Sequence, residues 1–149
     1  MKRKGLFPGT FDPFTIAHYD LIQRGLLLMD EIVIAIGINL DKKTLFTLEE
    51  RIATLEKIYA GENRISVLSY DILTADFAKQ LGINFLIRGI RNSIDFEYEK
   101  NLAEMNRKLS GIDTVFLFPE PELAYISSSL VRELIIYKKD ISNLIPPVK

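Results

Sequence analysis

The feature that most constrains this chain is an alternation. Short apolar runs rich in branched residues trade places with longer stretches of helical period, five times in succession. Lys4 to Phe7 precedes Ala17 to Met29, and Glu31 to Gly37 precedes Leu48 to Tyr59. Ile65 to Leu68 precedes Thr74 to Leu81, Asn84 to Ile87 precedes Asp95 to Leu109, and Thr114 to Phe118 leads to Ser128 to Tyr137. A strand that feeds a helix and then another strand returns to the same sheet by a right-handed crossover, so this order predicts parallel strands with helices on both faces. The expected fold is one doubly wound, Rossmann-like α/β domain over residues 1–149 with a five-stranded parallel sheet. A chain of this length buries roughly 70% of its unfolded surface in one core and has no room for two full-sized domains.

Local punctuation agrees. Thr47 with Glu50 three residues on forms a capping box, and Gly82 and Gly111 each close a helix. Asp95 and Glu97, expected in the first turn of a helix whose later part carries Arg107 and Lys108, match the macrodipole at both poles. The tail Leu144 to Lys149 is expected to fray beyond the last helix.

Composition then removes whole classes of function. Nineteen Lys and Arg against twenty Asp and Glu leave a net charge of −1, so no global positive field gathers nucleic acid or an anionic membrane. No cysteine and a single histidine leave no disulfide framework, zinc ribbon or thiol nucleophile. Basic Met1 to Lys4 is followed by no sustained apolar stretch, which predicts an untargeted cytoplasmic protein.

Ligands of open parallel sheets bind beyond the carboxyl ends of the strands. After the first predicted strand stands Pro8-Gly9-Thr10-Phe11-Asp12-Pro13-Phe14-Thr15-Ile16-Ala17-His18, which lacks the GxGxxG of a dinucleotide fold but brings His18 to a helix N-terminus. Lys42 and Lys43 follow the second strand, Arg88-Gly89-Ile90-Arg91 the fourth, and Ser127-Ser128-Ser129 opens the last helix. His18 could simply pack in the first turn, Arg88 and Arg91 could be surface ion pairs, and the serines could only cap. Their shared address favours an anion site: two guanidiniums make a phosphate clamp, and three hydroxyls exceed what capping requires. A Ser-His-Asp triad, a zinc hydrolase and a glycosidase acid pair all lack parts. Nucleotidyl transfer to a phosphate fits, because that nucleophile needs no deprotonation.

Gly9-Thr10-Phe11-Asp12-Pro13 with His18 resembles the first signature of the nucleotidyltransferase superfamily, and Ile126-Ser127-Ser128-Ser129 resembles its second. Phe46-Thr47-Leu48-Glu49-Glu50-Arg51, Leu86 to Arg91, Asp95 to Glu99 and Leu102 to Arg107 narrow the likeness to the bacterial phosphopantetheine adenylyltransferases, over residues 4–145. That resemblance implies reversible adenylyl transfer from ATP, with magnesium, to 4'-phosphopantetheine, giving dephospho-coenzyme A and pyrophosphate in the penultimate step of coenzyme A synthesis. It implies that His18 stabilises the transition state, and that Thr10 and Lys42 orient the attacking phosphate with Arg88. It further implies that Thr74 lines the pantetheine side, and that Thr10, Phe11, His18, Gly89, Ile90, Arg91, Glu99 and the stretch Ala124, Tyr125, Ile126, Ser127, Ser128, Ser129 and Leu130 hold ATP. Magnesium is expected on the ATP phosphates rather than on protein ligands, and a homohexamer is typical of the family. Another small-substrate adenylyl- or cytidylyltransferase, or a non-catalytic nucleotide-binding domain, are the competing readings. Where the family usually has Asn-Gly before the histidine, this chain has Ile16-Ala17; Ile16 is left to pack against either adenine or the core, and the alanine requires a negative φ.

Overall fold

The computed structural model describes residues 1–148. Its elements run β1 (Lys4–Gly9), α1 (Ile16–Leu28), β2 (Glu31–Gly37), α2 (Leu48–Ile58), β3 (Ile65–Tyr70), α3 (Thr74–Gln80), β4 (Phe85–Gly89), α4 (Ser93–Ser110), β5 (Asp113–Leu117) and α5 (Ser128–Ile136), with a 3-10 turn at Pro121–Leu123. The five strands form one parallel sheet in the order β3-β2-β1-β4-β5, so the chain reverses direction across the sheet between β1 and β4.

Side-chain alternation sorts the core into two layers. Phe7, Ile32, Ile34, Ile36 and Ile87 pack with Leu21, Ile22 and Leu26 of α1 and with Leu55 and Ile58 of α2. Leu6, Val33, Ala35 and Leu86 pack with Ala78 of α3 and with Ile83 and Ile112. Helices therefore cover both faces, and each fully buried branched side chain in these layers contributes about 2 kcal/mol of burial. A third cluster joins Ala17 of α1 to Ile126 and Val131, with Ile16, Ile135, Ile141, Leu144 and Ile145 packed around it.

The expected caps form. Thr47 accepts from the Glu50 amide while Glu50 returns to the Thr47 amide, and Gly111 takes φ 76 at the end of α4. Several element boundaries differ from the sequence reading by one or two residues: β3 runs on to Tyr70, β5 spans Asp113–Leu117, and others bear on the site. Strand β1 runs on to Gly9, and β4 begins at Phe85 and includes Arg88 and Gly89. Those two residues lie in the strand because their backbones still pair with Phe116 and Leu117 of β5. Helix α1 starts at Ile16 rather than Ala17. Helix α4 starts at Ser93 rather than Asp95, because Asn92 caps it by accepting from the Asp95 amide; this leaves Asp95 in the first turn and moves Glu97 beyond it.

The tail does not fray. The Leu144 carbonyl accepts from the Ile16 amide at 2.8 Å, and Ile141, Leu144 and Ile145 close over α1 and α5. Ile16 thus packs in this cluster, which settles its place in the core, and Ala17 is not among the positive-φ residues. Lys149, the end of that predicted tail, lies outside the described residues.

Candidate active site

A cavity of about 400 Å³ opens at the carboxyl ends of β1 and β4, where the sheet order reverses. Four cations line it: Lys42, Arg88, Arg91 and Arg132. His18, Thr10, Phe11, Gly89, Glu99, Ile126 and Ser127 to Ser129 line it too. Most of the residues singled out in the sequence therefore meet in one place.

The β1–α1 turn is shaped by aromatic packing. Phe11 sits at φ 53, a left-handed conformation that costs a bulky residue about 1–3 kcal/mol. Its ring is buried against Phe7, Phe14 and His18, which offsets that cost. Gly9 makes the turn possible, since a Cβ there would stand 2.8 Å from the Phe11 ring. Arg51 of α2 pins the turn from behind by donating to the Thr10 carbonyl at 2.8 Å. Buried Asp12 fixes the neighbouring loop, its two carboxylate oxygens accepting from the Leu45 and Phe46 amides at 2.8 Å each. Lys42, on that same β2–α2 connection, donates to Thr10 Oγ1 at 3.2 Å.

His18 is the third residue of α1 and completes an unusual capping box. Its amide donates to Thr15 Oγ1, while the Thr15 amide donates to its Nδ1 at 3.0 Å. A backbone N–H can only donate, so Nδ1 is an acceptor and the neutral ring carries its proton on Nε2. Phe14 stacks on the imidazole at 5.3 Å and Phe11 meets it edge-on at 5.2 Å. Burial, then the charges of Arg88 and Arg91, lower its pKa from 6.5 to about 4. The histidine does cap, and it also offers one fixed donor. The helix start offers little else: Leu144 takes the Ile16 amide, Thr15 takes those of His18 and Tyr19, and the Ala17 N–H remains.

This predicts a titration. The unfolded chain binds a proton at His18 below about pH 6.5, whereas the folded chain does so only near pH 4, so this group removes stability as pH falls through that window. Because it is the sole histidine, its imidazole resonance in an untagged protein can be followed without assignment, and a midpoint near 4 with the proton on Nε2 is expected. A midpoint near 6.5 would mean that the ring is solvated and free.

Arg88 bridges three elements. Its Nε and Nη2 donate to the two carboxylate oxygens of Glu99 on α4, at 2.8 and 2.6 Å, and its Nη1 donates to the Pro8 carbonyl of β1 at 2.7 Å. Burial opposes its charge, but the Glu99 hydrogen bonds and carboxylate outweigh that and hold its pKa above the ordinary arginine value. Three of its five N–H donors are thus committed, leaving two. Arg91 pairs with Asp95 at 3.0 Å. A Cβ at Gly89 would meet a terminal methyl of Leu21 on α1, which would have to turn aside.

Each serine has a task already. Ser127 caps α5 by accepting from the Leu130 amide, Ser128 donates to the Pro13 carbonyl at 2.8 Å, and Ser129 accepts from Arg132 at 3.0 Å. The latter two tie the last helix to the first turn, because Arg132 also donates to the Asp12 carbonyl at 2.9 Å.

Five of the predicted residues do not line this cavity. Ile90 is buried and continues the sheet by donating to the Leu117 carbonyl. Ala124, Tyr125 and Leu130 lie beside the cavity-lining Ile126 to Ser129 stretch, with Tyr125 65% exposed. Thr74 stands past the end of β3, hydrogen-bonded to Tyr70, two strand spacings or roughly 10 Å from β1. Sequence reasoning missed Arg132, Asp12 and Arg51. Arg132 carried no strand-end signal, since it stands in the middle of α5 rather than after a strand.

A neutral imidazole donor and four cations thus meet at the switch point of a doubly wound sheet, an arrangement suited to a polyphosphate. A family model described as cytidylyltransferase-like matches residues 6–134. A relative from Bacteroides fragilis, named phosphopantetheine adenylyltransferase, is 57% identical over 144 residues, covering 97% of this chain and 96% of the relative. Relatives of the same name from Bacteroides thetaiotaomicron and Phocaeicola vulgatus are 56% and 53% identical, each over 97% of this chain and 95% of the relative. The chain belongs to the phosphopantetheine adenylyltransferase family.

Proposed function

We propose that the chain transfers the adenylyl group of ATP to 4'-phosphopantetheine, reversibly, releasing pyrophosphate and forming dephospho-coenzyme A. The observation that carries this reading beside the family membership is the charge balance of the cavity. Four cations and one neutral N–H donor line it, and its two carboxylates, Asp95 and Glu99, are both paired with arginines. Such a site binds polyanions and offers no free base, which suits a nucleophile that is already an anion.

A phosphate oxygen of 4'-phosphopantetheine attacks the α-phosphorus of ATP. A new phosphorus–oxygen bond forms as the α–β bridging bond breaks, and pyrophosphate leaves with the electron pair. Lys42, Thr10 and the two remaining N–H groups of Arg88 align the incoming phosphate. The Nε2–H of His18 donates to the α-phosphate as charge builds there. Arg91, Arg132 and the start of α5 receive the rest of the triphosphate. Thr74 is in position for the pantetheine arm, which would run along the carboxyl edge of the sheet from β1 toward β3.

Among the described residues, no three His, Cys, Asp or Glu side chains gather into a metal site. A magnesium ion accompanying ATP would be held on phosphate oxygens and would neutralise charge beside that supplied by Lys42, Arg88, Arg91 and Arg132. No helix among the described residues is long and apolar enough to cross a membrane. A homohexamer working in the cytoplasm is the form that the family reading supports.

The breadth of the cytidylyltransferase-like description leaves one alternative, a different nucleotide or acceptor. Pyrophosphate release decides. Release with ATP and 4'-phosphopantetheine together, and not with CTP or with nicotinate mononucleotide as acceptor, is the expected result. Release with nicotinate mononucleotide instead would overturn the reading.

A further inference from the structure

We infer that Asp12 is a positioning residue for the transfer: it docks the β2–α2 connection against the first turn, so that Lys42 reaches the attacking phosphate. The inference rests on the reading that Lys42 holds that phosphate, and deepens it by naming what holds Lys42.

The connection has little else to fix it. No residue from 39 to 47 is buried, Leu40 is almost wholly exposed, and Leu45 keeps 42% of its exposure. Hydrophobic burial therefore contributes little to the place of this segment, in contrast to the strands on either side of it. Within it, the Lys42 amide donates to the Asn39 carbonyl, the Asp41 amide to the Asn39 side chain, and the Thr44 hydroxyl to the Phe46 carbonyl. These bonds give the segment a local shape but tie it to nothing outside itself. Among the described residues, the hydrogen bonds that leave the stretch 39–46 are two to Asp12 and the one that Lys42 makes to Thr10 Oγ1.

Asp12 is 2% exposed, and each of its carboxylate oxygens accepts one backbone N–H at 2.8 Å, Oδ1 from Phe46 and Oδ2 from Leu45. A carboxylate buried so deeply has to be matched by donors, and two charge-assisted bonds from successive amides fix the orientation of the loop as well as its height. Arg132 Nη1 stands 4.0 Å from Oδ2 as a counter-charge and also donates to the Asp12 carbonyl. The Asp12 backbone belongs to the β1–α1 turn that carries Thr10 and leads to His18. One side chain thus sets the spacing between two walls of the cavity, the turn with Thr10 and the loop with Lys42. Lys42 stands three residues before Leu45, and its Nζ arrives 3.2 Å from Thr10 Oγ1 on an otherwise solvated loop. If the loop lifted from Asp12, the ammonium would leave the phosphate while Arg88 and Arg91, on other elements, stayed.

A double-mutant cycle with D12N, K42A and D12N/K42A tests this, with a thermal melt of every sample. Asparagine keeps the volume and the backbone carbonyl that Arg132 uses, but its NH2 turns a donor toward a loop N–H, so one of the two bonds is lost. Expected for D12N is a fall in kcat/KM for 4'-phosphopantetheine of about tenfold to a hundredfold, the scale of a displacement of about 1 Å. K42A should lose at least as much. The KM for ATP should move by less than about threefold in D12N, because no nucleotide contact is removed. In the K42A background, adding D12N should cost no more than about a further twofold, since both act on one contact. L45P reaches the same bond from the loop: proline has no N–H to give to Oδ2, and the position is exposed, so the core is untouched. It should reproduce the kinetic pattern of D12N, and it takes the place of D12N in the cycle where that variant fails to fold. A lowered melting temperature with unchanged kinetics in D12N and L45P would reduce Asp12 to packing and overturn the inference. Losses that multiply in D12N/K42A, or equal rises in both KM values, would overturn it too, since Asp12 would then act other than through Lys42. Unaltered kinetics in K42A would mark a different failure, removing Lys42 from the phosphate site and with it the reading on which the inference rests.

Discussion

His18→Ala is expected to fold, to bind ATP within about tenfold of the unaltered protein, and to lose turnover by at least about a hundredfold. The argument is one of timing. The attacking phosphate needs no base, so the imidazole has no proton to take. What it offers is the Nε2–H, fixed in direction by the Thr15 amide on Nδ1 and by the Phe14 and Phe11 rings. Negative charge at the α-phosphate concentrates as the bridging bond breaks, so a donor already in place gains strength at that moment and needs no reorganisation. Losing one such preorganised donor costs about 3–4 kcal/mol. Ground-state ATP loses only one contact among many cations, which is why binding should survive. Steady-state kinetics beside nucleotide titration on one preparation separates the two effects. Normal turnover at saturation with collapsed ATP binding would make His18 a ground-state ligand. The phenylalanine packing around the ring keeps His18→Ala from unfolding the chain, since Phe7, Phe11 and Phe14 remain in contact with the core.

Arg88→Lys is the second large effect. Charge is retained, but an ammonium has three donors on one atom where the guanidinium has five spread over a plane. Lysine cannot hold both oxygens of Glu99, reach the Pro8 carbonyl and still present two parallel N–H groups to a phosphate. A loss in kcat/KM for 4'-phosphopantetheine of about a hundredfold is expected, with the KM for ATP changed far less. The chain should still fold, because a lysine still neutralises the buried carboxylate, with a lower melting temperature for the acceptors it leaves unpaired. The measurement is a pair of substrate titrations with a thermal melt of the same sample, and kinetics like those of the unaltered protein would dismiss Arg88 from the site.

The sheet and its helices were legible because periodicity two and periodicity near four are written over whole segments, where single exceptions hardly matter. Ile32, Ile34 and Ile36 face one layer while Val33 and Ala35 face the other. The strand-end rule then found Thr10, His18, Lys42, Arg88 and Arg91, all of which line the cavity. The same rule hid Arg132, which enters from within α5 rather than after a strand. The start of α4 is less legible, since Asp95 suits a first turn by charge while the cap, Asn92, stands three residues before it. A chain end beyond the last helix is expected to fray, yet Ile141, Leu144 and Ile145 carry the spacing of an apolar face and pack as one. The ion pair of Glu99 with Arg88 is out of reach of sequence, since nothing local in α4 names a partner eleven positions earlier on β4.

The bond between the Ile16 amide and the Leu144 carbonyl ties the direction of synthesis to the order of assembly. On a ribosome the Gly9 to His18 turn emerges first, and the 141–145 segment only after every strand and helix described here has been made. Domains fold as units while they are being translated. In this one the opening turn of α1 acquires its final shape only on chains translated through residue 145, so a nascent or prematurely released chain carries the histidine before it carries the finished setting in which that histidine works.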